Sequence, residues 1–136
     1  MFNLFYVIFM NFHRAPLIIP KMRYMADHPE KYTEIQRYEM TKHCIYLMNK
    51  TGKITTQAFG LENLIMYPNH QGKYDLLGII YTHQKVCSFV MDKAKSHTML
   101  VREFVDLVQA KRLEKDNPRQ GITIINEVAR DVAKGK

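Results

Sequence analysis

The chain has 136 residues, 46% of them hydrophobic, which is enough for one domain with a modest core and too apolar for a disordered segment. Twenty Lys and Arg against thirteen Asp and Glu give a formal charge of +7, so the chain favours an anionic partner: nucleic acid, an anionic bilayer or a phosphorylated substrate. Cys44 and Cys87 stand far apart, with no other Cys at metal-ligand spacing. That excludes a disulfide framework and a zinc signature, points to a reducing cytoplasmic setting, and leaves both thiols as small structural hydrophobes.

Met1 to Met10 is almost wholly apolar, interrupted only by Asn3 and Tyr6. The run ends at Asn11, His13 and Arg14, short of the ~18 to 20 apolar residues a spanning helix needs. No Lys or Arg precedes it, which argues against a signal peptide. A second apolar run, Ala15 to Pro20, meets Lys21 and Arg23. Apolar segments followed by cations predict a helix lying at a bilayer surface.

Pro29 to Asn49 reads as an amphipathic helix with Ile35, Tyr38, Cys44, Ile45 and Met48 on its apolar side, ended by a turn near Thr51-Gly52. Ile54 to Phe59 and Leu64 to Tyr67 read as strands separated by a turn at Gly60 to Asn63. A buried helix is predicted from Leu76 to about Gln84, then an apolar strand from Val86 to Met91 that looks buried on both faces. Ser96 is a candidate N-cap for a helix from Thr98 to Ala110, with Leu100, Val101, Phe104, Leu107 and Val108 inward. The last helix has the strongest punctuation: Asn117 caps, Pro118 opens, Ile122, Ile125, Val128 and Val132 follow at helical spacing, and Gly135 closes. Alternating strands and helices predict an α/β layered fold. The chain divides into an N-terminal membrane-surface helical region, 1–50, and an α/β region, 51–136.

The stretch that carries chemistry is Pro68-Asn69-His70-Gln71-Gly72-Lys73-Tyr74-Asp75. A His and an Asp five apart are offset by about 140° on a helix and lie on opposite sides of a strand. They meet only where the backbone turns, as at a strand-to-helix junction, and Gly72 supplies freedom for that turn. Together, Asp75 fixes the imidazole tautomer and leaves the other ring nitrogen of His70 basic. Such a dyad suits removal of a proton from a hydroxyl that then attacks an acyl carbonyl. No activated Ser stands nearby, so direct transfer is favoured over an acyl-enzyme. By spacing alone, His-x4-Asp is a common coincidence.

In its context, Asn-His-Gln-Gly-Lys-Tyr-Asp after an apolar strand and before an apolar helix closely resembles the Asn-His-x4-Asp motif of the glycerolipid acyltransferases. The resemblance covers nearly the whole chain. Ile19-Pro20-Lys21-Met22-Arg23-Tyr24-Met25 and His28-Pro29-Glu30-Lys31-Tyr32 are similar to the N-terminal helical region of bacterial members. Gly60-Leu61-Glu62-Asn63-Leu64 matches the turn leading to the dyad, and Lys111-Arg112-Leu113 with Pro118-Arg119-Gln120 is similar to the second family motif.

The resemblance implies a glycerolphosphate-acyltransferase-like α/β domain of the 1-acylglycerol-3-phosphate acyltransferase type. It implies transfer of a fatty acyl group from acyl-CoA or acyl-carrier protein to the free hydroxyl of a lysophospholipid, with no permanently bound cofactor and no metal. His70 would be the base and Asp75 its orienter, while Arg112 and Arg119 would hold the acceptor's phosphate. Asp106, in Phe104-Val105-Asp106, imitates part of the second motif and reads as a surface carboxylate. The expected setting is the cytoplasmic face of the cell membrane, in peripheral or monotopic association, without nucleic acid, since the cations are scattered and no nucleic-acid motif accompanies them.

Three departures accompany the resemblance. Asn63-Leu64 runs straight into Ile65-Met66 where members have a longer connection, and Lys111 stands where Asp commonly precedes the Arg. The family's Phe-Pro-Glu-Gly strand, which helps bind the acceptor phosphate, is not in the sequence. A partial acyltransferase lacking its C-terminal strands, impaired by truncation, is therefore expected. The alternative is a catalytically inactive membrane-bound interaction fragment.

Overall fold

The computed structural model describes residues 4–57, 65, 74–98 and 100–134. Helix α1, Leu4–Asn11, passes through a 3-10 turn, Phe12–Arg14, into α2, Ala15–Asp27. Asn11 stitches the junction: its Nδ2 donates to the Val7 carbonyl at 2.8 Å, and its Oδ1 accepts from Arg14 at 3.0 Å. The apolar residues of this segment divide between two sides. Val7, Met22 and Met25 are buried, while Phe9, Phe12 and Leu17 point outward, each more than two-thirds exposed. Among the described residues, no helix is long and apolar enough to cross a membrane.

Helix α3, Glu34–Gly52, begins five residues later than the sequence pattern suggests. Thr33 accepts from the Gln36 N–H at 3.2 Å, and the Gln36 side chain accepts from the Thr33 N–H at 2.9 Å. This reciprocal capping box settles the start, and Pro29 belongs to the turn before it. Ile35, placed on the apolar side by the sequence reading, lies in the first turn of α3 and is 65% exposed. At the other end Lys53 adopts the left-handed conformation (φ 52°) and Ile54 N–H returns to the Asn49 carbonyl. A lysine thus fills the position glycine usually takes.

Ile54 to Gln57, expected to open a strand, is irregular, and the rest of that strand lies outside the described residues. The expected strand Leu64 to Tyr67 is also outside them, apart from Ile65. Helix α4, Asp75–Thr82, forms where predicted.

Strand β1 is Val90–Asp92, shorter and later than the expected Val86 to Met91, and Val90 is exposed rather than buried on both faces. The helix expected from Thr98 to Ala110 is the shorter α6, Val101–Leu107, and a further short helix, α5, Lys93–Ser96, precedes it where none was expected. Ser96 ends α5 instead of capping α6, and Leu100 (φ 72°) breaks the path between them. Strand β2, Lys111–Leu113, pairs parallel with β1 in the register Val90↔Lys111, Met91↔Arg112, Asp92↔Leu113. Helix α7, Pro118–Ala133, starts as predicted, with the Asn117 side chain accepting from Gln120 N–H.

Among the described residues the architecture is mixed α/β, mostly helical, with a two-stranded parallel sheet joined by a helical crossover. Two apolar clusters share the central helices. Tyr38, Ile45, Ile80, Val105, Val108 and Ala110 form one, and Met22, Met25, Cys44 and Leu107 form the other. Helices α3 and α6 contribute to both, so the N-terminal helices are built onto the same core as the sheet. Arg23 of α2 reinforces the contact by donating from two nitrogens to one oxygen of the buried Glu103 on α6.

Candidate functional site

Asp75 occupies the first turn of α4, where a carboxylate is favoured by the helix N-terminus. Tyr74, immediately before it, fixes that helix start to the end of α3: its hydroxyl donates to the side-chain oxygen of buried Asn49 at 2.5 Å. Burial pushes the Tyr74 hydroxyl up to about 12, so it remains a donor at any physiological pH. The irregular segment from Ile54 to Gln57 runs beside α4. Gly78 permits its close approach, since a side-chain carbon there would lie 3.3 Å from Thr56 Cγ2.

Between segment and helix lies an open hollow of about 270 Å³, walled by Thr56, Gln57, Asp75, Gly78, Ile79 and Thr82. Its wall combines hydroxyl, amide and carboxylate groups with an apolar strip along α4. His70, the other half of the expected dyad, lies outside the described residues, as do Asn69, Gln71, Gly72 and Lys73.

Arg112 is on β2 and Arg119 on the first turn of α7. The Arg112 guanidinium donates from Nε to Ser96 Oγ at 2.9 Å and from a terminal nitrogen to Asp106. Asp106 is therefore not the surface carboxylate it resembles in the sequence. It is only partly exposed, faces two arginines, Arg112 and Arg102, and locks Arg112 against the end of α6. The Arg102–Asp106 spacing of four was readable along one helix face, whereas the Arg112 contact crosses from helix to strand. A phosphate approaching Arg112 must use its remaining N–H groups or displace Asp106. Arg119 is exposed.

A second hollow, about 310 Å³, lies between β2 and α7 and includes Lys111, Thr123 and Glu127. Lys111 is held there by Glu127 at 3.0 Å and Asp131 at 3.5 Å, and the Glu127 hydrogen bond is the main cause of its raised pKa. That lysine is a strut between strand and helix. Cys44 and Cys87 are both free thiols. Burial pushes Cys44 up to about 11 and Cys87 upward as well, which makes both poor nucleophiles. No group of three or more His, Cys, Asp or Glu able to hold a metal occurs among the described residues.

In comparisons with known proteins, no family model, no curated protein and no solved structure matches this chain.

Proposed function

We propose that the chain is a phospholipid-synthesising acyltransferase. It would move a fatty acyl group from acyl-CoA or acyl-carrier protein to the free hydroxyl of a 1-acylglycerol-3-phosphate. The observation that carries the reading is Asp75 on the wall of a hollow at the opening turn of α4, five residues after His70 in the sequence. In this reading His70 accepts the proton of the acceptor hydroxyl as that oxygen attacks the thioester carbonyl. The carbon–sulfur bond then breaks, and the departing thiolate recovers the proton from the imidazolium. Asp75 orients His70, and Arg112 with Arg119 holds the acceptor phosphate through guanidinium N–H groups.

The acceptor must sit within ~3 to 3.5 Å of the thioester for transfer to be fast. The resemblance assigns part of that positioning to a Phe-Pro-Glu-Gly strand that these 136 residues do not contain. The test is transfer of radiolabelled acyl groups from acyl-CoA to lysophosphatidate on vesicles. The chain alone and the chain joined to a Phe-Pro-Glu-Gly half are compared. The expected result is transfer by the joined chain and little by the chain alone; equal turnover by the two defeats the need for the missing strand.

The locking of Arg112 by Asp106 and Ser96 favours a second reading, a catalytically silent membrane-bound interaction module. Joined chain that binds vesicles yet transfers nothing would establish that alternative.

A further inference from the structure

Two helices in this protein begin with the same signal, a capping residue followed three positions later by Gln. In α3 the pair is Thr33 and Gln36, and Gln36 turns back to accept from the Thr33 N–H. In α7 the pair is Asn117 and Gln120. Asn117 performs its half of the cap, but the Gln120 side chain does not return to it. Gln120 Nε2 donates to the Arg112 carbonyl at 2.7 Å, and its Oε1 accepts from the Glu114 N–H at 2.8 Å.

Those two backbone groups flank Leu113 and point to the same edge of β2, because backbone polar groups alternate sides along a strand. The other edge faces β1, where Lys111 N–H donates to the Phe89 carbonyl at 2.9 Å. In a parallel ladder, one residue of a neighbouring strand donates to the carbonyl before its partner and accepts from the N–H after it. The Gln120 amide makes that same pair of bonds, one donated and one accepted, on either side of Leu113.

We infer that Gln120 is a strand mimic that closes the outer edge of β2. Lys111–Leu113 is then the terminal strand of its sheet, which leaves only the outer edge of β1 open to a further strand. Exposed strand edges invite pairing with other chains, and closing one with a side-chain amide removes the template. The reciprocal capping bond that Gln120 forgoes at α7 leaves no orphan donor, because the Asn117 N–H donates instead to the Glu114 carbonyl at 3.3 Å. This inference is independent of the acyltransferase reading.

The test is hydrogen exchange at single amides in the 136-residue chain, with light scattering on the same samples. Gln120→Ala should speed exchange of the Glu114 N–H about fivefold or more, the scale of one lost hydrogen bond. The Gly121 N–H, bonded to the Asn117 carbonyl, should keep its protection, and self-association at equal concentration should rise. Gln120→Glu retains an acceptor for Glu114 and gives Arg112 no donor, so the Glu114 N–H should stay slow. That variant also decides the matter should Gln120→Ala unfold. Unchanged Glu114 exchange in Gln120→Ala, or fast Glu114 exchange in a folded Gln120→Glu, overturns the inference.

Discussion

Tyr38→Phe isolates one buried hydroxyl at the centre of the molecule. Tyr38 lies in α3 at 2% exposure, with its hydroxyl 3.0 Å from the Ile80 carbonyl and 3.0 Å from Cys87 Sγ. The last backbone bond of α4 runs from His83 N–H to the Ile79 carbonyl, so the Ile80 carbonyl is one that the helix leaves without an internal partner. The Tyr38 hydroxyl supplies that partner, and the Cys87 thiol is placed to donate to the phenol oxygen. Phenylalanine keeps the ring, its packing and the Lys42 ammonium 5.3 Å from the ring centre. What remains is an unsatisfied carbonyl beside an unsatisfied thiol, a change worth about 1 to 3 kcal/mol. With a urea slope of about 2 kcal/mol per molar, a loss of about 2 kcal/mol moves the unfolding midpoint down by about 1 M at constant slope. The assay is equilibrium urea unfolding by circular dichroism, with Cys87→Ala as the milder companion. A midpoint shift below about 0.25 M for Tyr38→Phe would refute this account of how α3 holds α4.

Other expectations can be checked on the same protein. Burial raises Cys44 from 9.0 to about 11, so the folded state keeps a proton that the unfolded state loses. This contribution to stability is complete below pH 9 and is lost as pH rises from 9 through 11, and Cys44→Ala should flatten that part of the profile. Gly52→Ala places a carbon 2.9 Å from Val7 Cγ2 and 2.8 Å from Ile54 Cδ1. Ile54 has a flexible end that can swing, but Val7 is buried and stiff, so α1 must shift at a cost of about 1 to 3 kcal/mol, read as a lower Tm. The membrane expectation is best tested on the exposed Phe9, Phe12 and Leu17, because deleting residues 1 to 25 also removes the buried Val7, Met22 and Met25. Replacing all three by Ser should abolish flotation with anionic vesicles and leave the fold intact. Undiminished flotation moves the contact elsewhere.

Local signals in the sequence survived wherever a short stretch settles its own geometry. Asn117-Pro118 started α7, and Asp75 started α4, because capping and helix-terminus electrostatics act within one turn. The Thr33-x-x-Gln36 capping box is equally local, and it starts α3 after the turn that holds Pro29. The break between α5 and α6 was not readable. The apolar periodicity begins only at Thr98, so it carries no trace of α5, and the positive-φ Leu100 that separates the two helices is a residue type that rarely adopts that conformation. Apolar spacing in α7 also misassigned depth: Ile124 is buried, whereas Ile122 and Ile125 are more than 60% exposed. Periodicity names a face and not what lies against it.

In the candidate site, one end of the His70–Asp75 spacing falls on a helix start, as the sequence suggested. The restraint of Arg112 by Asp106 and Ser96 is a tertiary contact with no signature in either segment alone.

The most direct measurement is the rate of acyl transfer to lysophosphatidate by the chain joined to a Phe-Pro-Glu-Gly half, in three forms: parent, His70→Ala and Asp75→Asn. General-base catalysis is worth roughly 10² to 10⁴ in rate, so His70→Ala should lose nearly all turnover. Asp75→Asn should keep a fraction, because orientation is lost while the base remains. Turnover in His70→Ala equal to the parent's, or no transfer by the parent itself, would contradict the account.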